Sequence, residues 1–479
     1  MKHPLATYYL FFFEMWERFS YCGMRAILTL YMIQQLGLSY NDAFITYGAF
    51  TTFVYMTSII GGFFADKFFG HQESIKHGAV LIILGHIVLS APNIYDNINL
   101  NINLYLGLSF LSIGTGFFKP NVPILFGNLY DKNDIRRDSG FTVFVFGINL
   151  GSFLASISVP IIAQKFGWHY GFSVASIGMG IGLIIFIHGE KKGVYQSDKF
   201  SDRKQNYKNS IFIYFLSIIM LPFLGYMFIN PNKIIYILGI ITFFYITYFL
   251  YSYKTNSSIA YKESHNINTI SIILLVCMIF YAFFEQTGSS MVMFIENFVD
   301  RKVLGFVIPS GSYKSLNPLF IFLLAPVFAK LWYILNRIDQ HSRLLYVKFS
   351  FSFLLIGLGF GFLPLAIYFA CADCQISMIW IVAAYFFFTI GDLCISPIAL
   401  SAMTKYASGQ HSGTLVGGFY LSISFANYIS SVIATSVNTD INQYLILYKT
   451  ILLICIFLFL LILAMAIVIA KIKAGKSKY

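Results

Sequence analysis

The sequence has little charge. Asp, Glu, Lys and Arg make up 11% of its 479 residues, where an ordinary soluble chain carries about 25%. So few charges cannot cover a water-facing surface of this size. The shortage excludes a soluble enzyme, a disordered protein and a nucleic-acid-binding module. Acid is scarcer than base, with 20 Asp and Glu against 32 Lys and Arg, giving a net charge of +12. Signatures of nucleotide and metal chemistry are missing as well. Gly475-Lys476-Ser477 follows Ala470 where a phosphate-binding loop needs glycine, and no H-E-x-x-H occurs. An ATP-driven pump and an intramembrane metalloprotease are disfavoured. Neither a metal site nor an organic cofactor is expected.

What is present is apolar. Hydrophobic residues reach 58% and aromatics 19%, with 52 Phe and 33 Tyr. Fourteen stretches approach or exceed the ~20 residues that carry a helix across the hydrocarbon core. They fall near 5–34, 43–65, 75–92, 102–120, 140–163, 169–188, 209–229, 234–252, 269–295, 315–335, 344–369, 377–402, 413–436 and 443–471. Backbone polar groups in lipid must be satisfied within the segment, so these stretches read as helices. The chain is therefore an all-α polytopic membrane protein. Its first stretch is no cleavable signal peptide, because Glu14, Glu17, Arg18 and Arg25 interrupt it.

Loop charge gives an orientation. With the N-terminus inside, 23 of the 32 basic residues fall on inner segments, among them His-flanked Lys76, the run from Lys191 to Lys208, and Lys348. Both termini are expected in the cytoplasm of a cell-membrane protein. The basic segment 190–208 separates six stretches from a pair, and 253–268 separates that pair from six more. The plan is a six-helix bundle over 1–190, an inserted pair over 191–268 and a second six-helix bundle over 269–479. The segment Gly61-Gly62-Phe63-Phe64-Ala65-Asp66-Lys67-Phe68-Phe69-Gly70 resembles the GGxxADRxxG loop of the major facilitator superfamily.

Seven ionisable residues lie inside the stretches: Glu14, Glu17, Arg18, Arg25, Lys119, Glu285 and Asp392. Such charges are costly unless paired, and they mark function more often than structure. Glu14, Glu17, Arg18, Tyr21 and Arg25 follow i, i+3, i+4, i+7, i+11, one stripe of a helix, with Phe12, Met15 and Phe19 on the opposite face. Pro397 follows Asp392 closely and removes a helix hydrogen bond there. His71, His77 and His341 read as loop residues, and His86 and His188 as satisfied structural ones. Cys371 and Cys374 form a C-x-x-C in an outer loop, a disulfide, half of a metal site or two free thiols. Gly357 and Gly361 would allow close helix contact.

Three segments carry a family resemblance. Glu14-Met15-Trp16-Glu17-Arg18-Phe19-Ser20-Tyr21-Cys22-Gly23 resembles the ExxERFxYYG motif of the proton-dependent oligopeptide transporter family. Gly114-Thr115-Gly116-Phe117-Phe118-Lys119-Pro120-Asn121 resembles its GxGxxKPN motif, and Phe141 to Gly151 its fifth-helix segment. The resemblance spans nearly the whole chain. It implies a major facilitator fold of two six-helix bundles plus an inserted pair, 14 transmembrane helices in all. It also implies a proton-coupled symporter that imports di- and tripeptides by alternating access. The proton is then the coupling ion, and peptides, protons and membrane lipids are the partners. No nucleic acid and no obligate protein partner are implied.

Residue by residue, the resemblance assigns proton coupling to Glu14, Glu17, Arg18, Lys119 and Glu285. It assigns the peptide carboxylate to Arg18 and Lys119, and the amine and backbone to Asp392, Asn149 and Asn317. Tyr21, Cys22, Tyr55, Tyr281, Ser396 and Phe419 line the pocket, and Arg25 with Glu285 forms an outer-gate pair. A dipeptide zwitterion carries one carboxylate and one ammonium, so bases on one wall and an acid with amides on the other would read its ends and ignore its side chains. The chain departs from the family at Cys22 (usually Tyr), Tyr281 and Phe419 (commonly Trp) and Asp392 (usually Glu). These departures leave open a free amino acid or a peptide-like small molecule as cargo. A channel is the alternative of another class.

Overall fold

The computed structural model describes residues 3–92, 101–131, 134, 136–195, 203–242, 247, 260–338, 342–370, 375–406 and 412–476. It divides into two units, one of Met1–Leu238 with Gly311–Ser315, the other of Gly239–Ser310 with Leu316–Tyr479.

The described regular elements of the first unit are all helices. Its elements are α1 (Leu5–Leu30), α2 (Tyr40–Phe64), α3 (His71–Ser90), α4 (Ile102–Phe118), the short α5 (Asn121–Gly127), α6 (Arg137–Phe166), α7 (Trp168–Lys191) and α8 (Arg203–Ile229), followed by α9 (Pro231–Thr242), which crosses the boundary. α1 runs on as a π-helical turn, Tyr31–Gln35, and stops at Gly37, whose φ of +66° suits glycine. Ser39 then caps α2, accepting from the Asp42 backbone N–H at 3.1 Å. The Gly61–Gly70 segment is the end of α2 and a second π-helical turn, Ala65–Phe69, closed by Gly70 at φ +76°.

α1 packs against α6 and α7. A side chain at Gly151 would stand 2.0 Å from the Met15 carbonyl oxygen, so bare backbone of α6 lies directly on α1. This contact fixes which face of α1 is buried in the bundle. The charged stripe therefore takes a defined direction.

The second unit holds α10 (Ala260–Phe284), α11 (Ser290–Phe298), α12 (Leu316–Ile338), α13 (Ser342–Phe369), α14 (Met378–Tyr406), α15 (Ser412–Ala434) and α16 (Ile441–Lys476). A 3₁₀ turn, Glu285–Gly288, breaks α10 from α11. Two small ladders sit at the helix ends. β1 (Val299–Asp300) pairs in parallel with β4 (Ile376–Ser377), and β2 (Lys302–Val303) pairs antiparallel with β3 (Phe306–Val307). The β2–β3 turn puts Leu304 and Gly305 at φ 50° and 81°, the two-residue turn whose twist matches a hairpin. Gly357 and Gly361 do permit close contact, lying against Cys455 and Leu452 of α16.

Among the described residues, ten helices are long and apolar enough to cross a membrane. α1, with four charges, and α4, with 17 residues, fall short of that standard. Pro231–Thr242 and Gly418–Ala434 are shorter apolar helices. With these four, a described helix falls on at least part of each of the fourteen stretches of the sequence. Apolar side chains such as Ile184, Ile218 and Leu453 are 64–68% exposed, the pattern of a surface that faces lipid.

Of the residues expected in loops, His71 begins α3, and His77 and Lys348 are buried inside helices. His77 is buried in α3, where its Nε2 meets Ser217 Oγ of α8 at 2.8 Å. Lys348 is 6% exposed within α13, its ammonium 4.5 Å from the centre of the Trp332 ring. A long alkyl stem and an indole face make that burial tolerable. His341, Cys371 and Cys374 lie outside the described residues.

Candidate functional site

In the first unit the stripe on α1 is a buried charge cluster. Glu14 is 6% exposed and Glu17 1%. Arg18 donates through Nη2 to Glu17 Oε1 at 2.8 Å and through Nε to Glu17 Oε2. The same Nε lies 3.4 Å from Glu14 Oε1, one helical turn back. One guanidinium thus serves two carboxylates, which its planar fork can do and an ammonium cannot. The second oxygen of Glu14 is buried with no hydrogen-bond partner among the described residues.

Lys119 follows the last residue of α4, donating its backbone N–H to Thr115. Its ammonium stands 3.5 Å from the centre of the Tyr55 ring on α2. Glu14, Glu17, Arg18 and Arg25 are all within its electrostatic reach. Among the described residues it makes a cation–π contact and no ion pair, so the carboxylates pair with Arg18 alone.

Further along the stripe, Arg25 bonds the Tyr47 hydroxyl through Nε at 3.0 Å and Nη2 at 2.6 Å. Tyr21 lies between the two arginines, its ring centre 5.2 Å from the Arg18 guanidinium carbon and 5.5 Å from that of Arg25. Lys314, in the segment that belongs to this unit, reaches the Tyr47 hydroxyl at 3.3 Å. Cys22 Sγ meets Ser152 Oγ of α6 at 3.2 Å. Asn149 is more open, its Nδ2 turned back to the Val145 carbonyl at 3.0 Å.

In the second unit the polar groups form hydrogen-bonded chains of hydroxyls and amides around single acids. Ser396 donates its only hydroxyl proton to Asp392 one turn earlier on α14. Tyr281 lies 2.7 Å from the same Ser396 oxygen and must therefore be the donor. The chain runs Tyr281 to Ser396 to Asp392. Glu285 opens the 3₁₀ turn and lies within electrostatic range of Asp392. Its neighbour Gln286 is fully buried, donating to the Ser430 carbonyl at 2.8 Å and accepting from Ser290 at 2.6 Å. Asn317 donates to Thr389 at 3.2 Å. Phe419 is half-buried beside Tyr420.

Tyr47, Ser152, Lys314, Thr389 and Ser430 were not among the residues expected at the site. Tyr47 had a signal. With Thr51 and Tyr55 it follows i, i+4, i+8 on α2, a stripe that faces the charged helix. The others are single hydroxyls and one lysine, which sequence alone does not separate from filler.

The arrangement offers fixed cations and titratable acids on one unit, and hydroxyls, amides and two acids on the other. Similarity to known proteins narrows its use. The model of the POT family (PTR2) matches residues 72–447. The chain is 32% identical over 444 residues to the uncharacterized transporter YclF of Bacillus subtilis, covering 90% of this chain and 88% of that one. It is 33% identical over 460 residues to the peptide transporter YePEPT of Yersinia enterocolitica, covering 91% and 89%. A solved structure of a peptide transporter POT variant in complex with alafosfalin superposes with a TM-score of 0.83 at 31% identity, covering 97% of this chain and 94% of that one.

Proposed function

The chain belongs to the POT family, and on that premise we propose that it imports di- and tripeptides with protons by alternating access. It is a multi-pass membrane protein of the major facilitator fold, and its relatives are transporters rather than enzymes. The reading takes 1–190 and 269–479 as the two moving bundles, with 191–268 as an insertion. Both termini face the cytoplasm, and the membrane is the cell membrane.

The observation that carries the mechanism is Arg18 held between Glu14 and Glu17 in a buried cluster. Protons ride on these two carboxylates, and Glu285 is a third carrier. Protonating the acids removes the counter-charge of Arg18 and leaves the guanidinium for the peptide carboxylate. Lys119, already clear of an ion pair over Tyr55, is the second base for that carboxylate. When the peptide leaves, the acids lose their protons and re-pair with Arg18.

At the other end of the substrate, Asp392 meets the peptide ammonium, and Asn149 and Asn317 bond its backbone. Tyr21, Cys22, Tyr55, Tyr281, Ser396 and Phe419 shape the walls. Arg25 and Glu285 pair across the outer gate. Each of these contacts would be stronger in one state of the cycle than in the other, which is what couples binding to movement.

Radiolabelled dialanine uptake into proteoliposomes, with and without an inward proton gradient, tests the proposal. Accumulation that requires the gradient, and competition by unlabelled dialanine far stronger than by alanine, is the expected result. Equal competition by alanine would move the cargo to free amino acids. Current that persists without gradient coupling would mean a channel.

A further inference from the structure

A second polar feature lies away from the transport site, where the inserted helix α8 meets α3. A cavity of about 210 Å³ is lined there by Glu73, Lys76, His77, Val80, Ile213 and Tyr214. Lys76 bridges two carboxylates, Glu73 Oε1 at 2.8 Å and Glu190 Oε1 of α7 at 2.7 Å. All three are partly open, with side-chain exposures of 23–35%. The bond from His77 to Ser217, and an edge-on contact of His77 with the Tyr214 ring at 4.6 Å, pin α8 beside α3 and keep the cavity's two walls together.

Its surroundings are amphipathic. Charged residues lie at one end, where α3 begins and α7 finishes. From its lip, Val80 and Tyr214, exposed apolar side chains continue along both helices, with Leu84 and Ile87 on α3 and Phe215 and Ile218 on α8. In a membrane protein a charged recess that leads into an exposed apolar face matches a molecule with a polar head and apolar tails. The charge balance selects the head. Among the described side chains, two carboxylates to one ammonium leave the recess net negative, which disfavours an anionic head and favours one that brings its own cation. Lys76 uses two of its three N–H groups on the carboxylates, leaving one donor for a phosphate oxygen.

We propose that this recess seats the head group of a phospholipid bearing a primary ammonium. The ammonium meets Glu73 and Glu190, the phosphate meets Lys76, and the acyl chains lie along α3 and α8. A trimethylated ammonium carries the same charge but no N–H to donate, so it loses the directed bonds to the carboxylates. The inserted helix thereby gains a role as one wall of a lipid site.

Native mass spectrometry of the purified full chain tests this, with phosphatidylethanolamine, phosphatidylcholine and phosphatidylglycerol of identical acyl chains added in turn. Phosphatidylethanolamine should be retained about tenfold more than either of the others. Glu73→Gln with Glu190→Gln should bring it down to the phosphatidylcholine level, at an unchanged melting temperature in detergent. Glycerophosphoethanolamine, the same head without chains, should fail to displace the lipid at equal concentration. Equal retention of the three lipids by the parent chain would overturn the proposal without recourse to any variant. So would a folded double variant that retains phosphatidylethanolamine like the parent. Displacement by the soluble head alone would assign the recess to a free zwitterion and overturn the lipid reading.

Discussion

The two units handle buried polarity in opposite ways. The first concentrates formal charge on α1, with two carboxylates sharing Arg18 and a lysine held close over Tyr55. In the second, Asp392 is held by Ser396 behind Tyr281, and Gln286 is tied to Ser430 and Ser290. A charge cluster responds to every proton it gains or loses, since the partners are already in place and only the balance changes. Hydroxyls and amides keep their protons throughout and position without responding. On this account most of the coupling lies in the first unit, with Glu285 the second unit's share of it, and the two units read opposite ends of the peptide.

Steric tests should break the comparison most severely. Gly151 lies against the Met15 carbonyl in the helix pair that aims the charged stripe, and a methyl there would stand 2.0 Å from oxygen. Gly391, the neighbour of Asp392, leaves 3.2 Å to the Ser352 carbonyl. Gly151→Ala should therefore cost several kcal/mol, beyond the usual ~1–3 kcal/mol of overpacking, and abolish the folded monomer peak in size-exclusion chromatography. Gly391→Ala should cost under ~1 kcal/mol and leave that peak in place. Equal effects would mean that the two helices are not held to different tolerances.

Next comes the fork of Arg18. Arg18→Lys keeps the charge but cannot bond both oxygens of Glu17 while facing Glu14. Gradient-driven uptake should fall about 10- to 100-fold, the range of one strong charge-assisted bond. Near-parental uptake would show that charge alone suffices. In the second unit Asp392→Asn removes the counter-charge for the peptide ammonium and should raise the dialanine KM about tenfold, with little change in proton dependence. A shifted pH profile in that variant would make Asp392 a further coupling group. Tyr281→Phe deletes only the far donor of the chain and should weaken binding about fivefold, from a neutral bond of ~1 kcal/mol. An effect as large as that of Asp392→Asn would make the tyrosine a direct substrate contact.

The stripe on α1 was legible because helical spacing is rigid, and charges at i, i+3, i+4, i+7 and i+11 can only share a face. What each charge touches was less legible. Lys119 was expected as part of the acid–base cluster, and the structure stacks it on Tyr55, since a ring face competes for an ammonium at low cost. Lys348 and His77 were assigned to loops because polar residues near a stretch's end read as its boundary. An indole and a serine on neighbouring helices draw them inside. The break at Glu285–Gly288 had a faint cue, the small polar run Thr287-Gly288-Ser289-Ser290 that follows the acid. A run of that kind supports either a weak helix or a turn, and tertiary contacts decide. The bonds of Gln286 to Ser430 and Ser290 hold the turn in place, and no local pattern announces them.

The central claim is that the Arg18 cluster converts a proton gradient into peptide accumulation. Glu17 tests it most directly, being buried and bonded to Arg18 through both oxygens. Proteoliposomes carrying Glu17→Gln should be compared with the parent in two assays, dialanine accumulation under an inward proton gradient and dialanine exchange at equal pH on both sides. The account predicts that accumulation vanishes while exchange continues at a rate close to the parent's. Accumulation equal to the parent's would contradict it.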